Sequence, residues 1–377
     1  MKHISPPRLA PMPPIRNQNR LKLGLFGMNC SGGLAASTVP ERWRNGWENN
    51  VAVAQLADEA GLEFLLPIAR WIGYGGTSGF HADVLDPMTW AAGLLAVTRR
   101  INVFTTAHTS IHHPVVVAKQ IATLDQIGAG RVGLNVVVGW NRPEFAALGL
   151  PLDVDRVQRY AMAAEWLAIV RRLWHETAPF DWNGEFYKLS KVSGAPRPIA
   201  CPVPIFNAAM SADGRDFAVR NSEFLFTASL DLRTAKTDIE SMRTTAQSLD
   251  RSVGTLTFCH VVCRPSARDA RDYHRYYAIQ HADREAVETL VSSMMPHVAT
   301  LPKATQEIIK FSFAAGHGSR ALVGDPDMIA DDLAAISAAG FDGTTLGFVD
   351  YRQELPYFLD EVLPRLERRG LRADRRL

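Results

Sequence analysis

The chain has 377 residues, of which 47% are hydrophobic and 21% are charged, and its formal net charge is +2. This composition is typical of a globular protein, and the balanced charge argues against a nucleic-acid or membrane-surface partner. No stretch approaches the roughly 20 apolar residues of a membrane span. The four cysteines lack the paired spacing of a zinc site, so we expect a cytoplasmic protein without a bound metal.

Residues 1–20 contain five prolines and no apolar run. This segment lacks the features of a secretory signal and is predicted to be a flexible, extended N-terminal arm. We assign residues 21–377 to one domain, because barrels of alternating strands and helices commonly reach this length. Residues 284–320 show no clean periodicity and are predicted to be an insertion. The basic run at 365–376 is predicted to be a solvated helix end.

Short apolar segments alternate with helical ones along the chain. The predicted helices begin at signals such as Pro87 and Pro114, and a glycine such as Gly61 follows the end of one. Eight segments are predicted as strands: 21–26, 64–68, 100–110, 131–140, 203–209, 222–227, 255–263 and 341–348.

The predicted strands are mostly continuous apolar runs, as expected when both faces of a parallel sheet are buried. Alternation with helices indicates parallel strands joined by crossover helices. The turn after the first strand, residues 27–33, lacks the G-x-G-x-x-G order of a doubly wound dinucleotide fold. We therefore predict an α/β fold, a (β/α)8 TIM barrel with insertions, and expect its active site at the C-terminal ends of the strands.

The strand ends favour a cofactor-dependent reaction. They carry no His-x-His pair, no G-x-S-x-G motif and no dominant acidic pair, but they are rich in amides, hydroxyls and tryptophan. Such a pocket suits a large aromatic cofactor. Ser211 begins a predicted helix whose free N–H groups suit a phosphate, and Arg159 could pair with the same group. Plain N-capping by Ser211 and a surface charge at Arg159 remain open alternatives.

Several motifs together resemble one known family. They are SGGLAAST at 31–38, AGLLAVTRRINV at 92–103, GAGRVGLNVVVGWNRPEFAALGL at 128–150, WNGEFYKL at 182–189 and VGDPDMIADDL at 323–333. This set resembles the bacterial-luciferase-like flavin-dependent monooxygenases, and most closely the members that open pyrimidine rings or oxidise dimethyl sulfone. The resemblance implies a barrel that uses reduced flavin mononucleotide (FMN) and O₂.

The resemblance also implies roles for individual residues. It places Thr106 and Asn135 where O₂ meets the flavin, and a hydroxyl and an amide there would stabilise developing negative charge. A purely structural role for Thr106 on a buried strand remains open. The cofactor contacts implied in this way are Ala69, Arg70 and Asn135 at the isoalloxazine, Glu144 near the ribityl chain, and Arg159, Tyr160 and Ser211 around the phosphate.

The segments 68–76 and 107–113 depart from the family pattern, so we assign the substrate wall to them. The predicted wall consists of Trp71, Tyr74, His108 and His112, and Trp140 is added from the following strand end. His108 is expected to donate a hydrogen bond or to shuttle a proton. A core histidine is an equally good interpretation of that position.

The predicted function is that of a two-component monooxygenase. Because the chain shows no additional motif that would bind a dinucleotide such as NAD(P)H, a separate NAD(P)H-dependent reductase would supply the reduced FMN. A flavin peroxide, at N5 or C4a, would then cleave a carbon–heteroatom bond of a cyclic amide, a sulfone or sulfonate, or a substituted aromatic. A homodimer or homotetramer is expected by resemblance. The alternatives are a dehydrogenase of the same superfamily that uses the deazaflavin F420, and a flavin-binding protein without catalysis.

Overall fold

Parallel strands form a closed barrel in the computed structural model, which describes residues 13–151, 155–200, 202–228 and 231–373. The strands are β1 (Lys22–Phe26), β2 (Phe64–Leu66), β3 (Asn102–His108), β4 (Val132–Val137), β5 (Phe180–Asn183), β6 (Lys188–Val192), β7 (Ile205–Ala208), β8 (Phe224–Phe226), β9 (Gly254–Cys263), β10 (Arg320–Gly324) and β11 (Gly343–Gly347). The α-helices are α1 (Trp47–Glu59), α2 (Pro87–Val97), α3 (Pro114–Ile127), α4 (Arg142–Ala147), α5 (Arg156–His175), α6 (Ala212–Asn221), α7 (Leu232–Gln247), α8 (Ala267–Arg275), α9 (Arg284–Met294), α10 (Lys303–Gly316), α11 (Pro326–Ala338), α12 (Tyr351–Glu361) and α13 (Leu363–Arg368).

Eight strands close the barrel in the order β1-β2-β3-β4-β7-β8-β9-β11, and β11 pairs back with β1. All of these pairings are parallel. The predicted (β/α)8 barrel is therefore confirmed, and the eight predicted strands are the eight of its wall. Its C-terminal strand ends define the mouth of the barrel.

The long strand β9 carries a ninth parallel strand that the sequence did not predict. The first residues of β9 pair with β8 and the middle of β9 pairs with β11, whereas the segment Cys259–Cys263 of β9 pairs with the ninth strand, β10. The predicted insertion at 284–320 contains the two helices α9 and α10 and ends on Arg320, the first residue of β10. The sequence SARDARDYHRYYAIQHA predicts a continuous helix over 266–282, but α8 ends at Arg275 and a π-helical turn, Tyr276–Gln280, follows it.

The barrel interior is apolar at its N-terminal end. Side chains alternate along each strand, so every second residue points inward. The inward phenyl rings of Phe64, Phe104 and Phe206 pack with centroids 3.9 to 6.0 Å apart. On β4, Gly133 is opposite Phe104, and a Cβ at Gly133 would lie 2.3 Å from that ring. The small residue therefore makes room for the large one, and this apolar layer fills the barrel below its mouth.

The first and last parts of the described chain close the N-terminal end of the barrel. Pro14–Arg16 forms a short 3₁₀ helix that buries Ile15 completely beneath the phenyl rings. The predicted arm is therefore wrong for residues 13–16, because an apolar side chain follows the prolines and fills the barrel end. Residues 1–12 lie outside the described residues. Arg372 is also buried, and its guanidinium pairs with Glu63, so the basic run near the C terminus is not wholly solvated as predicted.

Two further segments differ from their predictions. The Pro- and Gly-containing sequence over 176–202 predicts an irregular stretch, but residues within it form an antiparallel hairpin of β5 and β6. The sequence LPYFLDEVLPRLERR predicts one final helix over 355–369, but the structure divides this region into α12 and α13, and α13 begins at Leu363 with Pro364 in its first turn. None of the helices within the described ranges is long and apolar enough to cross a membrane.

Candidate active site at the barrel mouth

Thr106 and Asn135 lie side by side above the phenyl layer, because neighbouring strands β3 and β4 place them in register. The Thr106 hydroxyl lies 2.8 Å from the carbonyl oxygen of Pro67, and Asn135 Nδ2 lies 3.2 Å from Thr106 Oγ1. A carbonyl only accepts hydrogen bonds, so the threonine proton points to Pro67. The Thr106 oxygen therefore accepts a hydrogen bond from Asn135. Because the Thr106 proton is used at Pro67, the hydroxyl is not free to donate to negative charge as the resemblance implied.

A buried ion pair joins the loop after β2 to α4. Arg70 Nη1 lies 3.0 Å from Glu144 Oε1, and the two side chains are only 6% and 2% exposed. The same carboxylate oxygen accepts from the backbone N–H of Trp71 at 3.1 Å. The guanidinium of Arg70 lies 5.2 Å from the ring centroid of Tyr74 and 5.4 Å from that of Trp140. Glu144, expected near the ribityl chain, thus holds the loop that carries Arg70 and Trp71.

Trp71 forms an open aromatic wall with two histidines. Its ring is 39% exposed, and its centroid lies 5.2 Å from His108 and 6.1 Å from His112. Burial, and then the nearby charge of Arg70, lower the pKa of His108 to about 3. The imidazole is therefore neutral at physiological pH and cannot donate a proton from an imidazolium. Of the two expected roles, hydrogen bonding suits this geometry and proton shuttling from the charged form does not.

Tyr74 turns away from this wall towards the inserted helices. It is buried against Phe80, His81 and His317, with ring centroids 5.7 to 6.3 Å away. Burial raises the pKa of its phenol to about 12, so it stays protonated. The sequence analysis did not single out His81 and His317, and an isolated histidine carries no local signal of such a contact.

The start of α6 carries Ser211, one of the residues expected to hold a phosphate. Ser211 is the N-cap, and its Oγ accepts from the N–H of Gly214 at 3.2 Å. A Cβ at Gly214 would lie 2.5 Å from the Tyr160 hydroxyl and 3.2 Å from Ser211 Oγ. Glycine therefore lets the helix start approach Tyr160 closely. The half-buried Arg159 precedes Tyr160 on α5.

The residues present fit a flavin phosphate and ring system. Helix N–H groups, two hydroxyls and a nearby arginine form a suitable phosphate cradle. At the ring end, Asn135 Oδ1 is buried and makes no hydrogen bond within the part of the chain that the structure describes. A buried acceptor of this kind is costly unless a bound group pairs with it. Ala69, buried beside Arg70, completes the loop at this end.

Asn29 is a buried residue at the barrel mouth that the sequence analysis did not assign to the site. Its Nδ2 donates to the carbonyl oxygens of Ile68 and Leu85 at 2.8 and 3.0 Å, and its Oδ1 accepts from Ile68 N–H at 3.0 Å. It therefore anchors the segment that contains Pro67. Its position directly after the first predicted strand was the only sequence signal available.

Two of the cysteines lie on the long strand β9. Cys259 and Cys263 pack among hydrophobic residues on β9, and His260 contacts Ser319 and His274. Across the described ranges, no group of three or more His, Cys, Asp or Glu side chains is arranged to bind a metal.

Comparison with known proteins gives the family. Residues 22–343 match the family model described as luciferase-like monooxygenase. An FMNH₂-dependent dimethylsulfone monooxygenase of Pseudomonas fluorescens (strain Pf0-1) is 30% identical over 354 residues, covering 92% of this chain and 95% of the relative. Pyrimidine monooxygenase RutA of Escherichia coli (strain K12) is 28% identical over 364 residues, covering 94% of each.

A solved structure supports the same fold. The crystal structure of DmoA from Hyphomicrobium sulfonivorans superimposes with a TM-score of 0.84 at 21% identity, covering 94% of this chain and 90% of that one. Together with the family match over most of the chain and the confirmed barrel, this shows that the chain belongs to the luciferase-like monooxygenase family.

Proposed function

We propose that this protein is the oxygenase of a two-component system. It would take reduced FMN from a separate NAD(P)H-dependent reductase and use O₂ to cleave a carbon–heteroatom bond in a small organic molecule. The main support is the buried Thr106–Asn135 pair at the barrel mouth, in a member of a monooxygenase family whose relatives are named as FMNH₂-dependent.

Two groups of residues at the barrel mouth would bind the two ends of the cofactor. Ser211, Tyr160 and Arg159 would hold the phosphate, whereas Ala69, Arg70 and Asn135 would contact the isoalloxazine. Glu144 would act mainly by fixing Arg70 and Trp71. Reduced FMN, when bound, supplies the electrons that activate O₂.

The chain's own groups would stabilise charge and exclude water. Asn135 Nδ2 has one proton directed to Thr106, so its second proton remains as a donor for negative charge that develops on oxygen. Trp71, Trp140, His108 and His112 would cover the reacting centre as the substrate wall. Tyr74, expected in that wall, would instead pack against the guanidinium of Arg70.

The proposed substrate class is broader than the substrates that appear in the names of the two relatives. Cyclic amides, sulfones or sulfonates, and substituted aromatics remain the candidates, because the wall residues Trp71, His108 and His112 come from segments that depart from the family pattern. A homodimer or homotetramer is proposed by family resemblance.

The test is the reaction of the reduced flavoprotein with O₂. Protein loaded anaerobically with reduced FMN is mixed with O₂ in a stopped-flow instrument, and the full spectrum is recorded. We expect a transient spectrum that is neither reduced nor oxidised FMN, and we expect Thr106→Val to shorten its lifetime at least tenfold. The matched control is Thr105→Val, because Thr105 is equally buried on β3 but faces the helices.

Two results would contradict the proposal. One is oxidation of the bound flavin at the rate of free flavin, without a transient species. The other is failure to bind reduced FMN, which would return the F420-dependent dehydrogenase and the non-catalytic flavin-binding protein to consideration.

A further inference from the structure

We propose that Asn29 is a positioning residue that, through Pro67 and Thr106, orients the carboxamide of Asn135 so that the site prefers reduced over oxidised flavin. This inference rests on the proposed function, because it requires flavin to bind beside Asn135. It concerns the equilibrium choice of flavin redox state, whereas the proposed function concerns the reaction with O₂.

The first step is the fixed position of the Pro67 carbonyl. The last main-chain bond between β1 and β2 runs from Gly27 N–H to the carbonyl of Leu66 at 3.1 Å. Beyond this bond, the Asn29 side chain takes the place of a paired strand, because its amide group bonds to both the N–H and the C=O of Ile68. Pro67 lies between these two anchored residues, so its carbonyl direction is set from both sides.

The second step is the direction of the Thr106 proton. Pro67 has no N–H, and its carbonyl only accepts. At 2.8 Å from that carbonyl, the Thr106 hydroxyl donates to it. The oxygen of Thr106 then presents only lone pairs to Asn135.

The third step is the orientation of the amide. If Asn135 were rotated by 180°, its Oδ1 would face a threonine oxygen whose proton is already used, and two acceptors would meet. The observed arrangement, with Nδ2 towards Thr106 at 3.2 Å, avoids this. It leaves Oδ1 as a buried acceptor without a partner among the described residues.

The fourth step is the chemistry of the flavin. Reduced flavin carries a hydrogen on N5, whereas N5 of oxidised flavin is a bare acceptor. A fixed carbonyl oxygen that faces N5 would pair with the first and repel the second. An unpaired buried acceptor is unfavourable, so its pairing adds to the affinity for the reduced form only.

The experiment compares dissociation constants for the two redox states. Oxidised FMN is titrated by fluorescence quenching and reduced FMN by anaerobic calorimetry, with the full chain and without substrate. We expect the unmodified protein to bind reduced FMN at least tenfold more tightly, which is about 30 mV in the two-electron potential. Thr106→Val and Asn29→Leu should each lower this ratio at least fivefold.

The double variant separates positioning from general damage. If Asn29 acts through Thr106, Asn29→Leu should lower the ratio no further in a Thr106→Val background. Asn50→Leu is the matched control: Asn50 is also 0% exposed, and its amide also makes three hydrogen bonds, to Asn45, Gly46 and Trp90. Asn50→Leu should lower the free energy of unfolding and leave the ratio of the two dissociation constants unchanged. If Asn29→Leu does not fold, Asn29→Asp replaces it, because it keeps the acceptor for Ile68 and loses both donors.

Each result decides one step. An unmodified protein without preference for reduced FMN overturns the inference, even if its oxygen chemistry is intact. An unchanged ratio in Thr106→Val overturns the link between amide orientation and redox preference. If Thr106→Val lowers the ratio, either of two results overturns the role of Asn29. Asn29→Leu alone leaves the ratio unchanged, or Asn29→Leu lowers the ratio further in the Thr106→Val background.

Discussion

Two buried arginine–glutamate pairs lie at opposite ends of the same barrel and differ in how fully they are satisfied. At the N-terminal end, Arg372 and Glu63 are 2.7 Å apart, with side chains 4% and 0% exposed. Glu63 also accepts from Asn17, Asn19 and the N–H of Leu23. Arg372 donates as well to the carbonyls of Leu21 and Gly61.

The pair at the mouth has fewer partners. Arg70 makes a single contact with Glu144, and its Nε is buried without a hydrogen bond inside the described ranges. Buried charges stabilise a fold only when their remaining hydrogen-bonding groups are also satisfied. The N-terminal pair therefore ties the two chain ends to the barrel, whereas the mouth pair leaves capacity for a ligand.

The largest effect is expected at the N-terminal pair. Glu63→Ala leaves Arg372 buried without its partner, which should lower the free energy of unfolding by about 3–5 kcal/mol. Urea denaturation measures this loss. Because Glu63 lies at the other end of the barrel, the affinity for reduced FMN should stay unchanged, and a joint loss of affinity in the folded variant would break the contrast between the two ends.

The next effect concerns pH and sharpens the contrast at the mouth. The pKa of His108 is about 3 in the fold, below its usual 6.5, so its stabilising contribution is complete above pH 6.5 and is lost as the pH falls towards 3. His108→Phe should therefore reduce the acid dependence of the unfolding free energy by up to about 1.4 kcal/mol per pH unit between pH 6 and 4.

Denaturation curves at several pH values check this prediction. The exposed His297 is the control, because His297→Gln removes a histidine outside the barrel mouth. Parallel curves for His108→Phe and the unmodified protein would show that His108 titrates normally and is not enclosed by the wall.

The smallest stability effect is expected at the mouth pair itself. Glu144→Ala should cost about 1–2 kcal/mol, less than the 3–5 kcal/mol typical of a broken buried pair, because Arg70 can rehydrate through the cofactor pocket. Affinity for reduced FMN should instead fall about tenfold, because the loop with Arg70 and Trp71 loses its anchor. A stability loss equal to that of Glu63→Ala, with unchanged affinity, would make the two pairs equivalent.

The order of strands and helices was predictable because it depends on local periodicity. Apolar runs and helix-start prolines located all eight barrel strands, including those that carry Thr106 and Asn135. Strand β10 was missed because three of its five residues are partly or fully exposed, so it lacks a continuous apolar run, and because it pairs with β9 outside the barrel wall. Ile15 was missed because the five prolines before it suggested an arm, and only the barrel end shows what its side chain fills.

The amino-acid sequence by itself determined the barrel, the polar residues at its mouth and the family, because these depend on periodicity and on residue types at fixed spacing. Only the tertiary structure decided how those residues pair. Asn29 reaches Ile68 across 39 positions, Thr106 reaches Pro67 across another 39, and Arg70 reaches Glu144 across 74. Hydrogen-bond direction depends on which acceptor lies within 3 Å, and no local pattern encodes that distance.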